Sequence, residues 1–103
     1  MVEPACVELR SGRLHIPAAV YEELFTGCPS VALLARDGAW WLMPLLAGAG
    51  GLQVKLRNAH GDRVVEAQEF FRAQGLEDTP VTRRWELRFV EGSGAFQLLA
   101  TAG

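Results

Sequence analysis

Cysteine is nearly missing from this chain: Cys6 and Cys28 stand alone, and neither belongs to a CxxC pair. That excludes a scaffold stapled by several disulfides, and it leaves His15 and His60 at no recognised metal-ligand spacing from a thiol. Two buried free thiols and no metal site are expected. Long apolar runs are missing too. The stretch from Trp40 to Ala47 falls well short of the roughly 20 residues needed to cross a bilayer. An excess of one charge is also missing: 10 Lys and Arg stand against 12 Asp and Glu, so no global field draws the chain to nucleic acid or to an anionic membrane. The N-terminus carries Glu3 and Glu8 without an apolar core, so no signal peptide is expected, and a cytoplasmic location follows by default. The run Ala47-Gly48-Ala49-Gly50-Gly51 is followed by no Gly-Lys-Ser/Thr and leads into a strand pattern; it reads as a linker, not a phosphate loop.

What is present is alternation. Val7-Glu8-Leu9-Arg10 and Arg13-Leu14-His15-Ile16 have the period of half-buried strands, with Ser11-Gly12 turning the chain between them. Pro17 ends the second strand and suits a helix start. Val20, Tyr21, Leu24 and Phe25 then recur at helical spacing until Gly27. Ser30–Ala35 and Ala39–Met43 predict a hairpin about Asp37-Gly38, the pair a type I′ turn demands, with Pro44 closing the return strand. Beyond the linker, Leu52, Val54 and Leu56 alternate with Gln53, Lys55 and Arg57. The loop Asn58–Asp62 leads to Arg63-Val64-Val65, and a helix is predicted over 66–74 with Gly75 as its stop. A polar connection containing Asp78-Thr79-Pro80 follows. Arg84–Val90 places Trp85, Leu87 and Phe89 on one face, and Ala95–Ala100 returns after Gly92-Ser93-Gly94.

The order strand, turn, strand, helix, strand, hairpin turn, strand thus occurs twice. Val7-Glu8-Leu9-Arg10 is matched to Val54-Lys55-Leu56-Arg57, and the Asp37-Gly38 turn to Gly92-Ser93-Gly94. The expected organisation is a first half over 1–46, a linker over 47–51 and a second half over 52–103, together one compact domain. A unit of about 45 residues is too small to bury its own sheet, so the halves are expected to share one closed core.

Gly12-Arg13-Leu14-His15-Ile16-Pro17, with Asp37-Gly38 and Pro44 after it, resembles the signature of the AbrB-like swapped-hairpin domains, which include MazE-type antitoxins and MraZ-type proteins. The match covers 7–44 well and 52–100 in outline; paired units in one chain are what MraZ-type proteins have. The resemblance implies an α+β, mostly β fold of two β-β-α-β-β swapped-hairpin halves. It also implies a DNA-binding transcriptional regulator. Arg13 takes the place of the signature arginine, Arg10 lies just before the turn, and Arg57 and Arg63 flank the corresponding loop of the second half. Docking through these arginines onto phosphates, with base-edge contacts from Arg13 or Arg63, is the mechanism it implies.

The residues also support a second reading, a protein-interaction or accessory module on the same fold. Glu22 and Glu23 stand where relatives often carry a basic residue, and one of the neighbours Trp40 and Trp41 must turn away from its sheet's core face. Those two tryptophans are the candidate protein interface. His60-Gly61-Asp62 brings an imidazole near a carboxylate, which a loop cap by Asp62 explains. With no nucleophile placed beside either histidine, no catalytic residue and no cofactor is expected. The chain is read as a non-enzymatic monomer or homodimer that stays off the membrane.

Overall fold

The alternating segments form strands, and the strands close on one another. The computed structural model describes residues 4–76 and 82–101; the expected connection around Asp78-Thr79-Pro80, and Glu3, lie outside the described residues. β1 (Cys6–Arg10) and β2 (Arg13–Ile16) are joined through Ser11 and Gly12, both at positive φ. α1 (Ala18–Val20) widens at once into a π-helical stretch, Tyr21–Phe25, with Pro17 as the cap residue before it. β3 (Ser30–Arg36) and β4 (Ala39–Leu45) turn about Asp37 and Gly38, at φ 53° and 74° as a type I′ turn requires. β5 (Leu52–Leu56), β6 (Arg63–Glu66), α2 (Gln68–Ala73), β7 (Arg83–Val90) and β8 (Ala95–Ala100) complete the chain. The second helix starts later than expected because Glu66 finishes β6 opposite Arg13, and the Ala67 N–H donates to Gly12 O (3.0 Å).

The strands pair in the cyclic order β1-β2-β6-β5-β3-β4-β8-β7, every pair antiparallel. This corrects the expected fold class. The chain does not form two β-β-α-β-β swapped-hairpin halves; it forms a single closed eight-stranded antiparallel barrel, mostly β, with short helical segments. Alternation tells which side of a strand is apolar and is silent about which strand lies next to it. Each four-strand stretch leaves open edges, and those edges are satisfied against the other stretch: β2 on β6, β3 on β5, β7 on β1 and β4 on β8. Exchanging β1–β4 for β5–β8 swaps β3 on β5 with β7 on β1 and returns β2 on β6 and β4 on β8 to themselves.

Side chains fill the barrel, as a ring of eight strands allows. Val7, Leu14, Ile16, Val31, Leu42 and Val65 reach full burial from the strands. Each helical segment adds a phenylalanine: Phe25 meets Phe96 with ring centroids 5.6 Å apart, and Phe71 stacks on Trp85 at 5.4 Å. Trp40 points inward and meets Phe71 and Trp85 edge-on.

Two strand-level expectations also change. Phe89 shares the parity of Trp85 and Leu87 but lies past the packed interior, 56 % exposed. Pro44 does not close β4; it lies within the strand opposite Val31. Counting back from the turn, that is a position whose missing N–H points away from β3, toward a side where the β4–β8 ladder has already ended at Leu42.

Candidate nucleic-acid interface

The outer face of β1, β2, β6 and β5 is polar and charged. Glu8 and Arg10 on β1, Arg13 and His15 on β2, Glu66 on β6 and Lys55 on β5 all fall on the parity opposite to the buried Leu9, Leu14 and Val65. His15 lies opposite both Glu8 and Val64, near the middle of this face. Beside it is a hollow of about 110 Å³ lined by Glu8, Arg10, His15, Arg57 and Asp62 over Ile16 and Pro17.

The hollow is held open by the loop after β5. Asn58 Oδ1 accepts from the N–H groups of His60 (3.0 Å) and Asp62 (3.3 Å), a local Asx arrangement. The Asp62 carboxylate reaches out of its loop. It accepts from the Ala18 N–H (2.8 Å) at the start of α1 and from Asn58 Nδ2 (3.0 Å). These two donors, Asn58 first, hold the Asp62 carboxyl below the usual carboxylate range. Asp62 therefore caps the helical segment of the first half, where a cap of its own loop was expected.

At the hollow two nitrogens lack an acceptor among the described residues. Arg10 Nε and His15 Nδ1 are buried without a hydrogen-bond partner, and Arg10 touches Glu8 only at 4.0 Å. Burial, then the positive charges of Arg10 and Arg57, pushes the His15 pKa down; Glu8 opposes this and Arg13 adds to it. The cations that add to this lowering are the same ones that would favour an anion beside the imidazole.

Of the arginines singled out in the sequence, Arg10 and Arg57 line the hollow and Arg13 acts on His15 from the neighbouring position. Arg13 is engaged by Glu66, with Nε 3.1 Å from Oε1 and 3.3 Å from Oε2. The Glu66 carboxyl is held below its ordinary value by the Gln68 side chain and then by Arg13. Arg63 is not brought to the site. It pairs with Ile16 on the inward parity of β6, and its guanidinium lies over the Tyr21 ring at 4.1 Å. Glu22 and Glu23 are exposed on the π-helical stretch. The residues that sequence reasoning missed are His15 as the centre of the cluster and Asp62 as the clasp of its wall.

The outer face of β3, β4 and β8 differs. Ala32, Leu34, Trp41, Met43, Leu45 and Leu99 share the outward parity there, and none of them belongs to the core cluster. Trp41 is on this face and Trp40 is inside, so the two candidate interface tryptophans separate. The Trp41 indole N–H donates to Arg36 O (3.3 Å) within its own hairpin.

Cys6 and Cys28 are free thiols, the first buried. Among the described residues, no cluster of three or more His, Cys, Asp or Glu side chains forms, and no helix is long and apolar enough to cross a membrane. No family model matches the chain, and neither a curated protein nor a solved structure matches it.

Proposed function

We propose that this barrel is a cytoplasmic, non-enzymatic DNA-binding protein that grips the phosphate backbone of double-stranded DNA with the face around His15. The observation that carries this reading is the hollow itself, in which Arg10 and Arg57 converge beside His15 while Arg10 Nε–H has no acceptor among the described residues. The Arg10 side chain is 43 % exposed, so a phosphate oxygen can meet its guanidinium beside Arg57, and charge-assisted bonds of this kind are the strong ones. Arg13 joins by exchanging Glu66 for a second phosphate, at small cost because an exposed ion pair contributes about 0–1 kcal/mol. The resemblance of Gly12–Pro17 to the AbrB-like signature supports the same reading. A protein-interaction module is the second reading, supported by the largely apolar outer face that carries Trp41 and Leu34.

Titration of the chain with mixed-sequence duplex DNA at low and at moderate salt separates the two. The DNA reading expects binding at low salt that weakens steeply as salt rises, because each neutralised phosphate releases counterions. No binding at low salt overturns it.

A further inference from the structure

Two seams of the barrel correspond when β1–β4 are exchanged for β5–β8: β1 on β7, and β5 on β3. They are closed to different lengths. β1 faces β7 from Cys6↔Glu86 to Leu9↔Arg83, and the Leu87 N–H extends the contact to Ala5 O (2.8 Å). β5 faces β3 at Ser30↔Gln53 and Val31↔Leu52, with the Val54 N–H reaching Pro29 O (2.9 Å) at one end and no pairing beyond Val31 at the other. Gly51 is where the chain leaves. At φ +84° a Cβ there would lie 2.5 Å from Leu45 Cδ1 and 2.7 Å from Val31 O, so only glycine lets the backbone turn away at this point.

From Ala32 to Arg36, β3 is held by β4 alone among the described strands. Arg36 and Ala39 flank a two-residue turn and exchange hydrogen bonds, so Leu34 and Ala32 face β4 as well. Leu33 and Ala35 therefore direct their N–H and C=O groups away from β4. Beside this edge, unpaired among the described residues, runs a groove of about 680 Å³. Val31, Leu33, Leu52 and Phe70 give it an apolar floor, Glu66 and Glu69 give it an acidic wall, and no basic residue lines it.

We infer that this groove takes up an extended segment of a partner protein, added to β3 as a further strand. Leu33 and Ala35 supply the backbone hydrogen bonds, as in other cases of strand addition. Alternate apolar side chains of the segment rest on Leu33, Leu52 and Phe70, and its Lys or Arg side chains face Glu69, with Glu66 behind it already engaged by Arg13. The acidic wall selects a basic segment, so the occupant differs in sign from the DNA of the proposed function.

The test uses two capped, fluorescently labelled hexapeptides, one of alternating Lys and Val and one of alternating Glu and Val, titrated against the whole chain. The Lys–Val peptide is expected to bind at least tenfold more tightly than the Glu–Val peptide. Ala35→Pro removes one free N–H and is expected to weaken Lys–Val binding about tenfold, with the circular dichroism spectrum and DNA titration unchanged. Glu69→Lys is expected to weaken it at least fivefold, and it keeps the test decisive if Ala35→Pro does not fold. Failure of the Lys–Val peptide to bind at millimolar concentration overturns the inference, as does equal binding of the two peptides. Sedimentation showing that the chain dimerises through this edge, with Ala35→Pro returning it to monomer, overturns it in favour of a second copy. Because the peptide and DNA titrations are read separately, either reading can fail without the other.

Discussion

The outer faces of β1-β2-β6-β5 and of β3-β4-β8 are built by the same alternation, yet one is studded with charge and the other carries a single charged side chain, Arg36, at its hairpin end. Around His15 the outward positions include Glu8, Arg10, Arg13, Lys55 and Glu66; around Trp41 they include Ala32, Leu34, Met43, Leu45, Gln97 and Leu99. The inward sides of both are ordinary core. The core therefore sets the fold on both sides of the ring, and the outward residues are free to specialise. A charged face suits a ligand that brings phosphates; a largely apolar one suits a surface that loses its water.

The largest effect expected from breaking this contrast comes from Arg10→Ala combined with Arg57→Ala. Each charge-assisted hydrogen bond is worth about 1.5–3 kcal/mol, so the double variant should lose about a hundredfold or more in low-salt affinity for duplex DNA. Leu34→Ser on the other face should leave that affinity unchanged. Fluorescence anisotropy with a labelled duplex checks both.

Next comes the tryptophan pair. Trp40→Ala removes the edge-on contacts with Phe71 and Trp85, and should destabilise the fold by about 3 kcal/mol in urea melts. A loss near zero would mean that Trp40 does not knit α2 to the barrel.

The third effect is a pH dependence centred on His15, which faces Glu8 and Arg10 from β1, Arg13 on its own strand, and Arg57 and Asp62 from the loop side. Its pKa is lowered in the folded protein, so the unfolded chain takes up the proton first. Stability of the free protein should be unaffected by this group above the ordinary value of about 6.5 and should fall as pH drops below it. A bound phosphate reverses the sign by raising the imidazole pKa. DNA affinity should then increase on acidification, by up to about tenfold for each pKa unit the anion restores. His15→Ala should flatten both profiles; retention of the pH dependence would assign it to another group.

The smallest effect is expected from Trp41→Ser. A half-buried position outside the core cluster should change stability by about 1 kcal/mol or less and leave DNA affinity unaltered. The same substitution should abolish any partner binding that uses the apolar face.

The strands and turns of the barrel were legible because each is encoded locally. Asp37-Gly38 takes the two positive φ values that its turn needs, and Leu14 and Ile16 point inward as their spacing demands. The seams were not legible, and the matching of the halves shows why. Leu9 faces Leu14 on β2, and Val54 faces Val65 on β6, so strand exchange relates Leu9 to Val54 and Arg10 to Lys55. Matching Leu9 to Leu56 is displaced by two residues. A slip of two leaves every side chain on its original face, so alternation is blind to it. That slip made Arg57 look like the twin of Arg10; the structure instead brings the two arginines together from different strands into one hollow. Arg63 failed for a related reason: its parity is inward, and only its position at the rim lets the guanidinium escape over Tyr21. His15 and Asp62 were visible as residue types but not as neighbours, since the Ala18–Asp62 bond spans 44 positions in the chain.

That long-range bond has a consequence for the protein as it is made. A chain synthesised only through β4 already holds Arg10, Arg13 and His15, but it has neither the Arg57 side of the hollow nor the Asp62 clasp that tethers its loop to α1. Synthesis runs from the N-terminus and early segments can fold as they emerge. The arginine that completes the cluster arrives only when the second half has been translated and threaded against the first. If the proposed function holds, a nascent chain among ribosomal RNA would present no finished phosphate grip until its second half joins the first.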